Sequence, residues 1–247
     1  MFLKFKQYFF RTLNFLLLFY LVNDDPLLAQ IFEGYTLFSS NELNVFNAEY
    51  EHYTLLINNS GDTINYWSHE RGVASISYLL NDSTLLYPFR VENPSMCNGG
   101  VGGGIIHYNW DGDILWQYEF SNDIYQHHHD ITPLPNGNIL LLVWERHTAF
   151  QDEESEYYGG IGKGWAEMGR VEVQNPLNQM WSEAIFEIQM VETDGINIVW
   201  EWHIWDHLIQ DVDPDLPNYG VIADHPELQD INYGNAGGNG GPGGANG

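Results

Sequence analysis

Three consecutive histidines followed by an aspartate, His127, His128, His129 and Asp130, carry the densest ionisable chemistry in this 247-residue chain. Imidazole titrates nearest neutral pH and can donate a proton, attack an electrophile or ligate a metal. The four residues run straight into Ile131-Thr-Pro-Leu-Pro-Asn-Gly-Asn-Ile-Leu-Leu-Leu-Val143, which reads as strand, Asn-Gly turn and strand. Adjacent residues on a regular strand face opposite ways, so at most two of the three rings look into one pocket and at least one is structural or solvated.

A second histidine group, His203 and His207, lies four residues apart beside Asp206. On a helix that spacing suits zinc, but the stretch lacks a catalytic glutamate in the usual place and Trp202 and Trp205 crowd it. No metal site is expected there, and the two rings read as loop or packing residues. Trp144, Trp202 and Trp205 either stack on an aromatic ligand or fill gaps between sheets. His107 and the Asp224-His225 pair read as structural. The glycines of Gly159-Gly-Ile-Gly-Lys-Gly164 do not follow a buried strand and open a helix, so they make no phosphate loop.

The elements that position these residues repeat weakly along the chain. Tyr53–Trp67, Gly104–Trp116 and Phe186–Trp200 each read as a β-hairpin ending in tryptophan, with Gly61, Gly112 and Gly195 expected to supply the positive φ of the turn. A second hairpin follows each of the first two, Ile76–Tyr87 and Ile131–Val143. Pairing each tryptophan hairpin with the hairpin after it gives a four-stranded sheet, and Gly61 and Gly112 stand 51 residues apart. That period fits a β-propeller blade. The expected fold is all-β, a partial propeller over 30–233 with two blades and the start of a third; a β-sandwich is the alternative. The polar stretch 151–156 reads as part of an insertion over one face.

Before the first hairpin, Lys4, Lys6 and Arg11 precede an apolar run from Leu13 to Val22 and then Leu27-Leu28-Ala29. This reads as a signal peptide over 1–29, too short to span a bilayer, so a periplasmic or secreted product is expected. Past Ala29 only five cations remain against thirty-two carboxylates. No basic stripe is left to displace counterions, which argues against nucleic acid and, once the signal is cleaved, against membrane partners. Cys97 is the sole cysteine, so an exported chain gains no internal disulfide. The tail 234–247 is almost entirely glycine and asparagine and reads as flexible.

Taken together, several segments resemble the arylsulfate sulfotransferase family, exported bacterial enzymes built on a six-bladed propeller. The resemblance runs from about Gly34 to Asn235. It rests on His128-His129-Asp130-Ile131 with Pro133-Leu-Pro-Asn-Gly-Asn-Ile-Leu140, on Val143-Trp-Glu-Arg146 and on Val199-Trp-Glu-Trp-His-Ile-Trp-Asp-His207. It implies sulfuryl transfer from an aryl sulfate donor to a phenolic acceptor, with no nucleotide donor and no cofactor, through a transiently sulfated histidine. His129 matches the family's His-Asp motif, which implies a histidine that stabilises the sulfonate or protonates the leaving group. Asp130 would orient it, with His128 the second candidate and His127 the third. Arg146 would help neutralise the sulfate, or else forms a surface ion pair, and Trp144, His203 and Trp205 are candidates for binding the aryl ring.

A six-bladed propeller at about fifty residues per blade needs roughly three hundred residues, so the chain reads as an N-terminal fragment. The family's later histidine and arginine motifs have no counterpart in it, so no nucleophile is assigned and the fragment is expected to be inactive alone. A homo-oligomer is possible on this reading. The alternative function is a non-catalytic propeller that binds a ligand or a surface protein.

Overall fold

The computed structural model describes residues 32–44, 49–149, 164–172 and 179–234. The expected signal segment, the polar stretch 151–156 and the tail from residue 235 lie outside them. Met1–Gly34 separates as its own unit from Tyr35–Gly247, and the architecture below is that of the second.

The second unit is all-β, with only two short 3-10 turns and no α-helix among the described residues. Strands β1 (Tyr35–Asn44), β2 (Glu49–Asn58) and β3 (Thr63–His69) form an antiparallel sheet in sequence order. A second sheet joins β4 (Tyr78–Leu79), β5 (Leu85–Arg90), β6 (Gly103–Tyr108) and β7 (Ile114–Glu119). A third joins β8 (Tyr125–Pro133), β9 (Ile139–His147), β10 (Met180–Val191) and β11 (Gly195–His203). The short β12 (Leu208–Ile209) and β13 (Gln229–Asp230) pair in parallel. Among the described residues no helix is long and apolar enough to cross a membrane.

The hairpins stand where the alternation places them, but they combine one step out of phase with the expectation. Ile76–Tyr87 pairs with the tryptophan hairpin that follows it, through Leu85–Arg90 against Gly103–Tyr108, and not with the one before. Likewise Ile131–Val143 joins Phe186–Trp200. Alternation fixes which face of a strand is apolar, yet it carries no information on which edge meets which.

Two turns are built alike. Asn58 Oδ1 accepts the N–H groups of Ser60 and Asp62, each at 2.9 Å, and Asn109 Oδ1 accepts that of Asp113 at 2.8 Å. Gly61 and Gly112 take the left-handed φ of 84° and 89°. The third turn departs from the expectation: Glu192, at φ 53°, is its left-handed residue, and Gly195 is not.

The sheets stack face to face. Leu86, Ile105 and Trp116 of the second sheet pack with Ile131, Ile139, Leu141, Val143 and Phe186 of the third. From its opposite face Leu85, Tyr87 and Phe89 pack on Leu56 and Trp67 of the first. Because β5 is covered on both sides, it reads as an unbroken apolar run and not as an alternating one. The tryptophans that end two hairpins also link neighbouring sheets. Trp67 Nε1–H donates to the Asn109 carbonyl at 3.0 Å, and Trp116 Nε1–H donates to that of Gly195 at 2.8 Å. A third cluster, Trp165, Trp205, Leu208 and Ile231, lies apart from both interfaces.

Candidate active site

The histidine run is not a regular strand. His127 pairs with Val143 and Ile131 with Leu141, so His128, His129 and Asp130 together stand opposite Leu142 alone. This bulge turns the chain through a left-handed His129 at φ 54°, a conformation that costs a non-glycine residue roughly 1–2 kcal/mol. It is braced from outside, because His129 N–H donates to the Gly100 carbonyl at 2.6 Å and His128 bridges to Val101.

The brace is a glycine run, Asn98-Gly-Gly-Val-Gly-Gly-Gly104, whose role the sequence reading missed. A Cβ on Gly100 would stand 2.3 Å from Cε1 of His129, and one on Gly102 would stand 2.8 Å from Nδ1 of His127. The clustering itself is the signal, since glycines in or beside strands mark close backbone approach.

The bulge undoes the simple alternation of the three rings. His127 is fully buried and accepts the Gly103 N–H at Nδ1, 3.1 Å away, so its proton sits on Nε2, which finds no acceptor among the described residues. The Asp130 carbonyl lies near this ring without closing that bond. Burial, with His128 adding to it, pushes the His127 imidazole down to about 4, against a smaller opposing pull from Asp130. This ring is structural.

His128 and His129, by contrast, touch. Their Nδ1 atoms are 2.8 Å apart with the rings nearly perpendicular at 85°. His128 is buried and stacks on Trp144 at 4.2 Å, and Trp144 in turn meets Trp181 at 5.3 Å. Glu183 spans the stack: it accepts the Trp144 indole N–H at 3.2 Å through Oε1, and its Oε2 stands 2.8 Å from His128 Nε2. That second contact lies off the N–H axis, so it is an electrostatic neighbour and not a well-formed hydrogen bond. His129 is exposed.

The other expected residues are dispersed. Asp130 does not orient His129; its carboxylate accepts Ser75 Oγ–H at 3.0 Å, Tyr78 O–H at 3.2 Å and the Ile131 N–H at 2.9 Å. Burial first, and then the Asp130 charge, raise the Tyr78 hydroxyl. Arg146 lies two residues beyond Trp144, opposite Trp181, on the same sheet face as the His128 stack. Trp144 is sandwiched between His128 and Trp181 and is buried, so it forms a wall and not an open platform.

His203 and Trp205 belong to the opposite side of the sheet. His203 Nδ1 bonds Glu145 at 2.7 Å, and Glu145 also lies 3.5 Å from Ser182 Oγ. Burial pushes the Glu145 carboxyl up, with His203 pulling it back. Trp205 stacks on His147 at 3.6 Å within the third core cluster. His207 stacks on Trp202 at 5.1 Å, and the turn between His203 and His207 is 3-10, which removes the helical spacing a zinc pair needs. A cavity of about 720 Å3 opens elsewhere, lined by His69, Arg71, Tyr108 and Glu119 among others, and none of the expected site residues lines it.

The buried rings make stability pH-sensitive. Burial, aided by His52, lowers His69 to about 3; its ring stacks on Tyr87 at 3.6 Å. Unfolded, His69 and His127 each take up a proton near pH 6.5. Below that value the unfolded chain binds more protons, so the stability present above it is lost as pH falls, down to about 4 for His127 and about 3 for His69. Unfolding free energy from urea titrations is expected to drop on acidification by up to about 1.4 kcal/mol per pH unit for each ring. His69→Phe, which keeps a ring on Tyr87, is expected to remove one ring's share of that slope.

A search of curated proteins finds no match to the chain. A model of the family described as arylsulfotransferase (ASST) matches residues 18–159, more than half of the chain. The stretch takes in the histidine bulge, the glycines that brace it and Arg146, and it stops short of Glu183 and His203. The paired histidines therefore sit within the matched stretch, and the chain belongs to the arylsulfotransferase family.

Proposed function

We propose that this protein transfers a sulfuryl group from an aryl sulfate to a phenolic acceptor, without a nucleotide donor and by a ping-pong sequence. In this reading it is exported to the periplasm or beyond, and its three antiparallel sheets are blades of a β-propeller. Family membership supports the reaction class and the substrate classes. The single observation that carries the site is the exposed His129 ring, held on a strained bulge with Nδ1 engaged by His128.

The ping-pong sequence needs a nucleophilic histidine to carry the sulfuryl group, and none is assigned among these residues; this site serves the leaving group and the sulfonate. A leaving phenolate needs a proton or a positive neighbour, and the sulfonate oxygens need fixed donors. His129 serves as that acid or donor, and Arg146 on the His128 face supplies positive charge. The reading is tested by nitrophenol release from 4-nitrophenyl sulfate at varied phenol concentration. Release that depends on phenol, with parallel lines in double-reciprocal plots, is the expected result. The assay uses the product of the complete reading frame, and a folded full-length protein that transfers nothing, or lines that intersect, overturns the reading.

Charge gives a second expectation. The chain's formal net charge is −26, so its field opposes approach of an anionic donor at low salt. Added salt shortens that field, so kcat/KM for the aryl sulfate is expected to rise between low and physiological ionic strength, where the Debye length falls to about 8 Å. Stopped-flow or initial-rate assays over a salt series measure it.

A further inference from the structure

Glu183 lies on β10 outside the matched stretch, where register puts it opposite Trp144. Its Oε2 approaches His128 Nε2 to 2.8 Å. Although it lies off the ring's axis, the carboxylate charge this close to Nε2 repels the negative end of a bare ring nitrogen and attracts an N–H, so Nε2 of His128 carries a proton. On the far side of the same ring, Nδ1 faces Nδ1 of His129 at 2.8 Å, and that contact holds one proton and not two.

The proton count then fixes the outer nitrogen. With the pair neutral, His128 already has its single proton on Nε2, so the bridging proton belongs to His129 and leaves His129 Nε2 bare. With one proton added, His128 becomes the imidazolium beside Glu183, and His129 carries its proton on Nε2. The two states differ by one proton at His129 Nε2, the end of the ring away from His128.

We infer that Glu183 is a positioning residue which, through His128, sets the proton state of His129. The inference rests on the sulfuryl-transfer reading for its use. As the S–O bond to the phenolate breaks and the sulfuryl group bonds to the nucleophilic histidine that the ping-pong reading requires, the proton on His129 Nε2 passes to the phenolate oxygen. The bridging proton crosses from His128 Nδ1 to His129 Nδ1, and His128 returns to neutral with Nε2–H still against Glu183. When the phenolic acceptor enters, its oxygen bonds to the sulfuryl sulfur and the N–S bond of the sulfated histidine breaks; the hydroxyl proton goes to His129 Nε2 and the bridging proton moves back, so the sulfuryl group and the protons balance over the full cycle. Glu183 also fixes the geometry, because its other oxygen holds the Trp144 indole against which His128 stacks. Its side chain is 49% exposed, so replacing it leaves no buried hole.

The test has two arms on the full chain. In the first, 15N-labelled histidine rings are read by long-range proton–nitrogen correlation in mildly alkaline buffer, with and without Glu183→Ala. The expected signature is Nε2–H for His128 and Nδ1–H for His129, collapsing to a tautomer mixture in the variant. A His129 ring protonated at Nε2 in the unsubstituted protein, or tautomers indifferent to Glu183→Ala, overturns the inference.

In the second arm, Glu183→Gln keeps the volume and an acceptor for Trp144, and transfer is compared for phenyl sulfate and 4-nitrophenyl sulfate. Nitrophenolate leaves without help, so the loss is expected to be roughly tenfold greater for phenyl sulfate. Equal losses on the two donors overturn the relay. Should the folded product of the complete reading frame transfer from neither donor, the sulfuryl-transfer reading fails, while the tautomer arm still decides the role of Glu183.

Discussion

His129→Ala is expected to lower aryl sulfate transfer by a factor on the order of 10² to 10⁴, the range for loss of a positioned acid. Gly100→Ala is expected to reproduce much of that loss with His129 still present. A methyl group there would lie 2.3 Å from the ring, and Gly100 itself adopts a φ of 83°. The imidazole is exposed and ends a flexible side chain, so it swings away and the fold survives. Stability should fall by only about 1–2 kcal/mol, the cost of alanine in the left-handed region, whereas a displacement of about an ångström costs roughly a hundredfold in rate. Rates on 4-nitrophenyl sulfate, paired with urea unfolding, separate the two quantities. A Gly100→Ala enzyme with unchanged rate would show that the seat of the ring is not set by this glycine.

The largest stability effect is expected from Trp116→Ala. The ring is 2% exposed at the interface of the second and third sheets, and its indole N–H holds the Gly195 carbonyl of the next hairpin. Removing it is expected to cost about 3–5 kcal/mol, a large share of the roughly 5–15 kcal/mol typical of a folded domain. Trp116→Phe keeps most of the packing and loses the donor, so about 1 kcal/mol of additional cost beyond the smaller ring is expected. Chemical denaturation of both variants measures the difference. Equal losses in the two would assign the whole effect to the hydrogen bond and none to the core.

Much of the fold was legible because its signals are local. The alternation around Gly61, Gly112 and Gly137 marks hairpins, and all three take positive φ. What escaped depends on residues distant in sequence. The partners of Ile76–Tyr87 and Ile131–Val143 are settled by which strand edges meet, a choice invisible in either hairpin alone.

The site divides in the same way. His129 stood out by type, but nothing between His127 and Asp130 announces a bulge; the cause lies in the backbone of Gly100 and Val101. Asp130 sat next to the right histidine in sequence and faces Ser75 and Tyr78 in space, because the bulge turns it away. Glu183 on β10 reaches His128 on β8 across the one strand between them, on a segment with no motif of its own.

The indole links between sheets bear on how such a chain changes over generations. Each uses one donor atom on a tryptophan and one main-chain oxygen, at Asn109 and at Gly195. A main-chain oxygen is supplied by any amino acid, so the side chains at the receiving turn are free to drift while the joint persists. Asn109 sits in an Asn-x-x-Gly-Asp turn and Gly195 in a turn whose left-handed residue is Glu192, and both receive the same bond. Units joined in this way can be duplicated or exchanged as modules without a matching change in their neighbour, a tolerance that suits a repeat as faint in letters as this one.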